Sequence, residues 1–205
     1  MMPEIKKPEI KFAENVILMD AAYIDKVTGN LITHFSRIID RTLPNADLSL
    51  FLEAISLDAG IRPEEDKEVA NRTIQVIIVY DGKSKKLTNI IPQDVEKSLN
   101  NVAFKSKLGE FTLNAFTPQN MVSKGEFFIE TLKLLVDAKE VKHLMLVADE
   151  QGYIEDVYRL LKDNKQKEQV TVFGMNPPKQ EQNVDWEMLG FAVLRALGIK
   201  SNELQ

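Results

Sequence analysis

Three acidic residues each follow a short apolar segment directly: Asp20 follows VILM, Asp81 follows IIVY, and Asp149, with Glu150 beside it, follows LMLVA. Apolar segments of this length, bounded by turn residues, are typical of buried strands. Because parallel strands have their C-terminal ends at one edge of a sheet, such carboxylates can converge there although they are far apart in sequence. Clustered carboxylates suit Mg²⁺, which can activate a water molecule and stabilise charge on a phosphate. The pattern is therefore compatible with metal-dependent phosphodiester chemistry.

A second pair of acids lies in a predicted helix at 124–138. Glu126 and Glu130 are four residues apart, so they share a face and could contact one ion if the helix N-terminus points at the strand edge. A structural interpretation stays open beside this one, because Asp after a strand often caps a helix and acids on a helix face often form a solvated stripe. For Asp81, followed by Gly82, a turn is the favoured interpretation.

The elements that must position these acids alternate along the chain. Short β-branched or apolar segments predict strands at about 16–19, 75–80, 111–116, 144–148 and 170–173. Helical spacing of apolar residues predicts the helices between them, one of which has Asn45 as its N-cap. This alternation predicts an α/β fold, a three-layer sandwich with a mostly parallel sheet of about five strands and a Rossmann-like topology.

The domain organisation follows from the same pattern. Residues 1–14 are polar and contain two prolines, so they are predicted to be a flexible arm. Residues 15–178 are predicted to form the α/β domain. Residues 179–205 are predicted to form a C-terminal helix packed on that domain, with one face made by Trp186, Leu189, Val193 and Leu197, and with Trp186 buried beneath it.

Composition excludes several classes of protein. The chain has 205 residues, of which 44% are hydrophobic and 28% charged, the values of a folded globular domain. Cys is absent, which excludes disulfides, thiolate metal ligands and thiol nucleophiles. The net charge of −5 excludes a surface that is basic throughout. No apolar run approaches the roughly 18 residues of a membrane span, and the first residues lack an apolar signal core, so no membrane partner and a cytoplasmic location are expected.

Three segments together resemble the NYN domain, a branch of the PIN-like nucleases: VILMDAAYID, SKGEFFIETLKLL and LMLVADEQGYIEDVYRLLKDNKQKEQVTVFG. That family opens with a strand that runs into Asp, later carries Lys-Gly and an acidic helix, and then has a strand that runs into Ser-Gly-Asp-x-Asp-Phe. The resemblance covers about 16–175 in element order and implies a PIN-like topology.

The chain departs from that pattern at several positions. Ala21-Ala22-Tyr23 replaces the Gly-x-Asn that follows the first Asp, and Val147-Ala148 replaces the later Ser-Gly. Gln151 or Gly152 stands where the family has its second Asp, and Tyr153 matches the Phe.

The resemblance implies a Mg²⁺- or Mn²⁺-dependent endoribonuclease with a partly degraded acidic site. Asp20, Glu130 and Asp149 would be the catalytic residues and metal ligands, with Glu126 and Glu150 as further metal ligands. The alternative is a non-catalytic scaffold or binding module, for RNA, a protein or a second copy of the chain, that keeps the nuclease-like fold. Binding of a small ligand at the same sheet edge is a third possibility.

Overall fold

The computed structural model describes residues 11–119, 121–162 and 166–204. Most of the predicted N-terminal arm, residues 1–10, therefore lies outside the described residues. The end of that segment is hydrogen-bonded to the domain. The Ala13 N–H donates to Oε1 of Gln75, and the Glu14 carbonyl accepts from the N–H groups of Lys142 and His143.

The described chain alternates strands and helices along most of its length. In order these are β1 (Asn15–Asp20), α1 (Ala21–Ile38), β2 (Ala46–Asp47), α2 (Leu48–Asp58), β3 (Thr73–Val79), β4 (Ile90–Ile91), α3 (Val95–Ser98), β5 (Val102–Ser106), β6 (Gly109–Phe116), α4 (Lys124–Asp137), β7 (His143–Val147), α5 (Ile154–Leu161), β8 (Gln169–Gly174), β9 (Asp185–Met188), α6 (Leu189–Ala196) and a 3-10 turn at Ser201–Leu204.

The main sheet has the strand order β5-β6-β3-β1-β7-β8-β9. All neighbours in it are parallel except β5, which is antiparallel to β6, while β2 and β4 form a separate short parallel pair. Without β5, the strands taken in chain order follow the doubly wound arrangement 3-2-1-4-5-6. The direction of winding reverses between β1 and β7, which places a topological switch point beside Asp20.

Two apolar cores lie on opposite faces of this sheet. In β1, Ile17 and Met19 pack with α1, α2 and α6, whereas Val16 and Leu18 pack with α4 and α5. Alternate residues of β1 therefore pack against different helical layers, because successive side chains of a strand point to opposite faces of the sheet. The predicted α/β class, the mostly parallel sheet and the three layers are confirmed. Within the described chain, no helix is both long and apolar enough to cross a membrane.

Two predictions about elements were wrong. Asp47, not Asn45, caps α2, because its carboxylate accepts from the N–H groups of Ser49 and Leu50. Trp186 is a half-buried residue of β9 and does not belong to the C-terminal helix, which begins at Leu189. The apolar spacing from Trp186 to Leu197 looks continuous, so it could not show that a strand, β9, ends where α6 begins. That strand forms through its pairing with β8, which lies outside the local sequence pattern.

Candidate functional site

Asp20 lies at the C-terminal end of β1 and is completely buried, with 0% of its surface exposed. Its Oδ1 accepts a hydrogen bond of 3.1 Å from the Tyr23 N–H and so caps α1. Asp is a favoured N-cap because its carboxylate satisfies an N–H group that has no partner within the helix. Asp20 therefore has a structural role at the position where the sequence also allowed a metal ligand.

Two side chains from the other helical layer complete the surroundings of Asp20. The Lys124 ammonium donates to Oδ1 over 2.8 Å, and the Tyr153 hydroxyl donates to Oδ2 over 2.6 Å. The Lys124 side chain is only 15% exposed, so this is a largely buried ion pair. Burying a carboxylate is costly unless it is paired and hydrogen-bonded, and here both of its oxygens have donors.

Gly125 allows Tyr153 to reach Asp20. A Cβ atom at position 125 would lie 2.9 Å from Cδ1 of the Tyr153 ring, closer than a side chain can approach. The same ring also packs against Phe128, at a centroid distance of 5.0 Å. The Lys124-Gly125 pair thus contributes an ammonium to Asp20 and leaves room for the phenol that binds the same carboxylate.

The Tyr153 hydroxyl is protonated at neutral pH. Burial raises the pKa of this phenol far above its usual value, and the adjacent Asp20 carboxylate raises it further. A protonated phenol is a permanent hydrogen-bond donor to the carboxylate, whereas a phenolate would repel it. Tyr153 therefore adds to the stabilisation of the buried negative charge.

The two predicted acids of α4 do not join this arrangement. Glu126 accepts hydrogen bonds from the Ser123 N–H and hydroxyl in a capping box, and these bonds lower the pKa of Glu126. Glu130 is exposed and forms an ion pair of 3.0 Å with Lys133. Within the described residues, neither Glu hydrogen-bonds to Asp20. The capping and solvated-stripe interpretations account for both side chains.

Asp149 and Glu150 lie at the same sheet edge as Asp20, since β1 and β7 are parallel neighbours. Oδ1 of Asp149 accepts from the Gln151 N–H over 3.0 Å and closes the turn that leads into α5. Glu150 accepts from the backbone N–H and the side-chain amide of Asn176, at 2.9 and 3.0 Å. Glu150 thereby ties the loop after β7 to the end of β8.

Asp81 forms the turn that the sequence predicts. Its Oδ1 accepts from the N–H groups of Lys83 and Ser84, both at 2.9 Å. Burial opposes ionisation of Asp81, but the hydrogen bonds from Ser84 and Lys83 and the charge of Lys124 together lower its pKa. The Lys124 ammonium thus acts on two carboxylates at this edge.

The predicted magnesium or manganese site is assembled only in part. Asp20 and Asp149 reach one edge, but no group of three or more His, Asp or Glu residues placed to hold a metal occurs among residues 11–119, 121–162 and 166–204. Mg²⁺ requires several oxygen ligands in octahedral geometry, and the Asp20 oxygens already accept three hydrogen bonds. The oxygen ligands available among the described residues therefore do not fit such an ion. Binding of Mg²⁺ or Mn²⁺ stays a prediction from the sequence.

Comparison with known proteins assigns the chain to a family. A family model for a family of unknown function, DUF6621, matches residues 9–204. The chain belongs to DUF6621. No curated protein and no solved structure matches the chain. The DUF6621 match includes every strand of the main sheet and all the residues around Asp20.

Sequence reasoning missed two residues of this DUF6621 site. The sequence pattern gives Lys124 only as half of a Lys-Gly pair, and Tyr153 only as the counterpart of a Phe. The usable signal was the hydroxyl, because a phenol that replaces Phe beside a buried strand end needs a hydrogen-bond partner. For Lys124, a cation at the first position of a helix is unfavourable near the positive end of the helix dipole, which points to a specific anionic partner.

Proposed function

We propose that this DUF6621 chain is a non-catalytic binding module with a PIN-like, NYN-type fold. In this proposal Lys124 supplies, from within the protein, the positive charge that a metal ion would supply in a nuclease of that kind. The observation that carries the proposal is the state of Asp20: its carboxylate is fully buried and accepts from the Lys124 ammonium, the Tyr153 hydroxyl and the Tyr23 N–H.

Replacing Lys124 by a metal ion would be costly. The ion would have to shed water that Mg²⁺ gives up reluctantly, and the lysine ammonium would lose its ion-pair partner. An uncompensated charge in a largely buried place costs several kcal/mol, on the order of 3–5. The Asp20–Lys124 pair therefore favours the metal-free state.

The remaining acids also serve the fold. Glu126 closes a capping box, Asp149 closes a turn and Glu150 holds Asn176. A hydrolytic site needs an accessible carboxylate to orient a water molecule or ion beside the substrate. Asp20, at the centre of the switch point, has no exposed surface. These facts support binding rather than hydrolysis.

One observation favours the alternative, a Mg²⁺- or Mn²⁺-dependent endoribonuclease. Parallel pairing of β1 with β7 brings Asp20 and Asp149 to one edge at the topological switch point, which is where ligands bind in open α/β sheets. For that function, the Lys124 ammonium would have to leave Asp20, and Asp149 with Glu150 would have to leave their present hydrogen bonds.

Cleavage of single-stranded RNA in the presence of Mn²⁺ separates the two functions. The binding-module proposal predicts that purified wild-type protein and the Asp149→Asn variant cut RNA at the same background rate. The exposed Glu65→Gln serves as the matched control for removal of one carboxylate. Metal-dependent cleavage by the wild type and by Glu65→Gln, absent in Asp149→Asn, would instead establish the nuclease.

A further inference from the structure

A cavity of about 230 Å³ opens beside the switch point and shares one residue, Tyr23, with the Asp20 arrangement. Its walls come from three elements: the first turns of α1, the loop after β7 and the segment that follows β8. Crevices at this position are the usual ligand sites of doubly wound sheets. This volume is smaller than that of a drug-sized pocket and suits a small molecule.

Two opposite charges line this cavity, from Lys26 and Glu150. The Lys26 ammonium donates to Oε1 of Gln151 over 2.9 Å, and Glu150 accepts from the backbone and side chain of Asn176. Both charged groups therefore form hydrogen bonds with neutral protein groups. In the part of the chain that the structure describes, neither Lys26 nor Glu150 has an ion-pair partner, so each can accept an oppositely charged ligand group.

Tyr23 supplies a buried polar group on the same wall. The residue is 6% exposed, and its hydroxyl lacks a hydrogen bond of normal geometry to the described residues, although the Glu150 carboxylate lies close by. Burial, followed by the charge of Glu150, raises the pKa of Tyr23, which keeps the phenol protonated. A buried hydroxyl without a well-aligned partner is costly, and a polar ligand group or a bound water would relieve that cost.

The rest of the lining is apolar. Val27 and Leu31 continue the same face of α1, and Met175, after β8, also lines the cavity. Methionine adapts readily to the shape of a ligand, because its side chain is unbranched and polarisable. An aliphatic group placed between these three side chains would be removed from water at a gain of roughly 25 cal/mol per Å².

We propose that this cavity binds a small zwitterion with an aliphatic side chain, a free α-amino acid of the leucine type. The ammonium group lies at Glu150, the carboxylate at Lys26, and the aliphatic side chain against Val27, Leu31 and Met175. This inference rests on the proposed binding function and names its ligand class. A zwitterion matches the lining because it neutralises both unpaired charges at once, which a cation, an anion or a neutral amide cannot do.

The chain contains a built-in reporter for this site. Its single tryptophan, Trp186, has its indole Nε1 close to Gly174, and Oε1 of Glu150 lies against the same glycine. A ligand ammonium that binds Glu150 would change the electrostatic surroundings of the indole. Tryptophan fluorescence of the full chain can therefore follow the titration, with calorimetry as an independent measurement.

The test titrates L-leucine into the full chain beside two analogues, isocaproate, which lacks the ammonium, and isoamylamine, which lacks the carboxylate. We expect leucine to bind at least about tenfold more tightly than either analogue, because each loses a charge-assisted hydrogen bond. Equal binding of leucine and isoamylamine, or no binding of leucine at millimolar concentration, would overturn the proposal. Tight binding of leucinamide, a mimic of a peptide N-terminus, would also overturn it.

Variants assign the two charges. Glu150→Gln and Lys26→Met should each weaken leucine binding by about tenfold or more, while the exposed Glu65→Gln and Lys105→Met, which lie outside the cavity lining, should not. Unchanged affinity in both cavity variants would contradict the assignment. Failure of leucine to bind leaves the binding-module function standing, provided that Mn²⁺-dependent RNA cleavage is absent. Appearance of that cleavage refutes the function itself, whatever leucine does.

Discussion

The Nζ atom of Lys124 lies 2.8 Å from Oδ1 of Asp20, and this ion pair joins the two helical layers across the edge of the sheet. Asp20 caps α1 on one face, whereas Lys124 is the first residue of α4 on the other. Tyr153 adds a second link from the α4–α5 layer to the same carboxylate. The carboxylate at the end of β1 thus links α1, α4 and the start of α5.

Removing the ammonium should be strongly destabilising. We expect Lys124→Met to lower the free energy of unfolding by about 3–5 kcal/mol, because it leaves a buried carboxylate without its compensating charge. Urea denaturation measures this loss. The exposed Lys83→Met is the control and should change little. The double variant Asp20→Asn with Lys124→Met should lose less than the sum of its two single variants; additive losses would mean that the pair is not coupled.

The Tyr153 hydroxyl has a smaller effect of its own. Tyr153→Phe keeps the ring against Phe128 but removes the 2.6 Å hydrogen bond to Asp20. A hydrogen bond to a charged group contributes about 1.5–3 kcal/mol, so urea denaturation should show a loss of that size. Tyr158→Phe is the matched comparison, since Tyr158 lies outside the Asp20 hydrogen bonds. Similar losses in both variants would argue against the assigned role of Tyr153.

Gly125 is expected to resist substitution although it lies in a helix. Gly→Ala inside a helix normally stabilises by roughly 0.5–1 kcal/mol. At position 125 the new Cβ would press on the Tyr153 ring, and such overpacking costs about 1–3 kcal/mol, so a net loss of stability is expected. Gly82→Ala is the control, because a Cβ there meets no described atom within 4 Å. Thermal unfolding of the two variants tests the sign, and a stabilised Gly125→Ala would refute the contact.

Stability should fall in alkaline solution. Burial, followed by nearby carboxylates, raises the pKa of Tyr153, and the same causes raise that of Tyr158 to about 12. The unfolded chain has tyrosines with pKa near 10, so their contribution to stability is complete below about pH 10. Above it, the unfolded state ionises first, and stability falls by roughly 1.4 kcal/mol per pH unit for each such tyrosine. For Tyr158 the loss ends near pH 12.

Urea midpoints between pH 9 and 11 measure this decline. The variant with both Tyr153→Phe and Tyr158→Phe should show a shallower fall than the wild type, because it lacks two of the raised groups. An identical slope in the two proteins would mean that these phenols ionise as easily in the folded state as in the unfolded state.

The position of the strand-end acids was predictable, because a short apolar segment that ends in Asp reports both the strand and its end. The partner of Asp20 was not, since Lys124 is 104 residues away and no local pattern records that contact. The strands β5 and β9 were also missed. Their sequences VAFKS and DWEM are short and mixed in polarity, as edge strands tend to be, so they lack the apolar run that identified the central strands.

The same reasoning explains the outcome for α4. The i, i+4 spacing of Glu126 and Glu130 correctly places them on one face, but spacing cannot tell a metal-facing stripe from a solvent-facing one. Ser123 distinguishes the two roles of Glu126, since a Ser three residues before a Glu at a helix start is the capping-box pattern. That pattern was present in SKGE and favoured the structural role.

The most direct test of the central claim, that Lys124 takes the place of a metal, is the melting temperature of the wild-type protein with and without millimolar Mn²⁺. The account predicts no shift beyond that produced by an equal ionic strength of NaCl. An ion bound at a hundredfold excess over its dissociation constant would add about 2.7 kcal/mol, or about 5–10 °C for a chain of this size. A rise of that size, lost in Asp20→Asn and Asp149→Asn but kept in Glu65→Gln, would contradict the account.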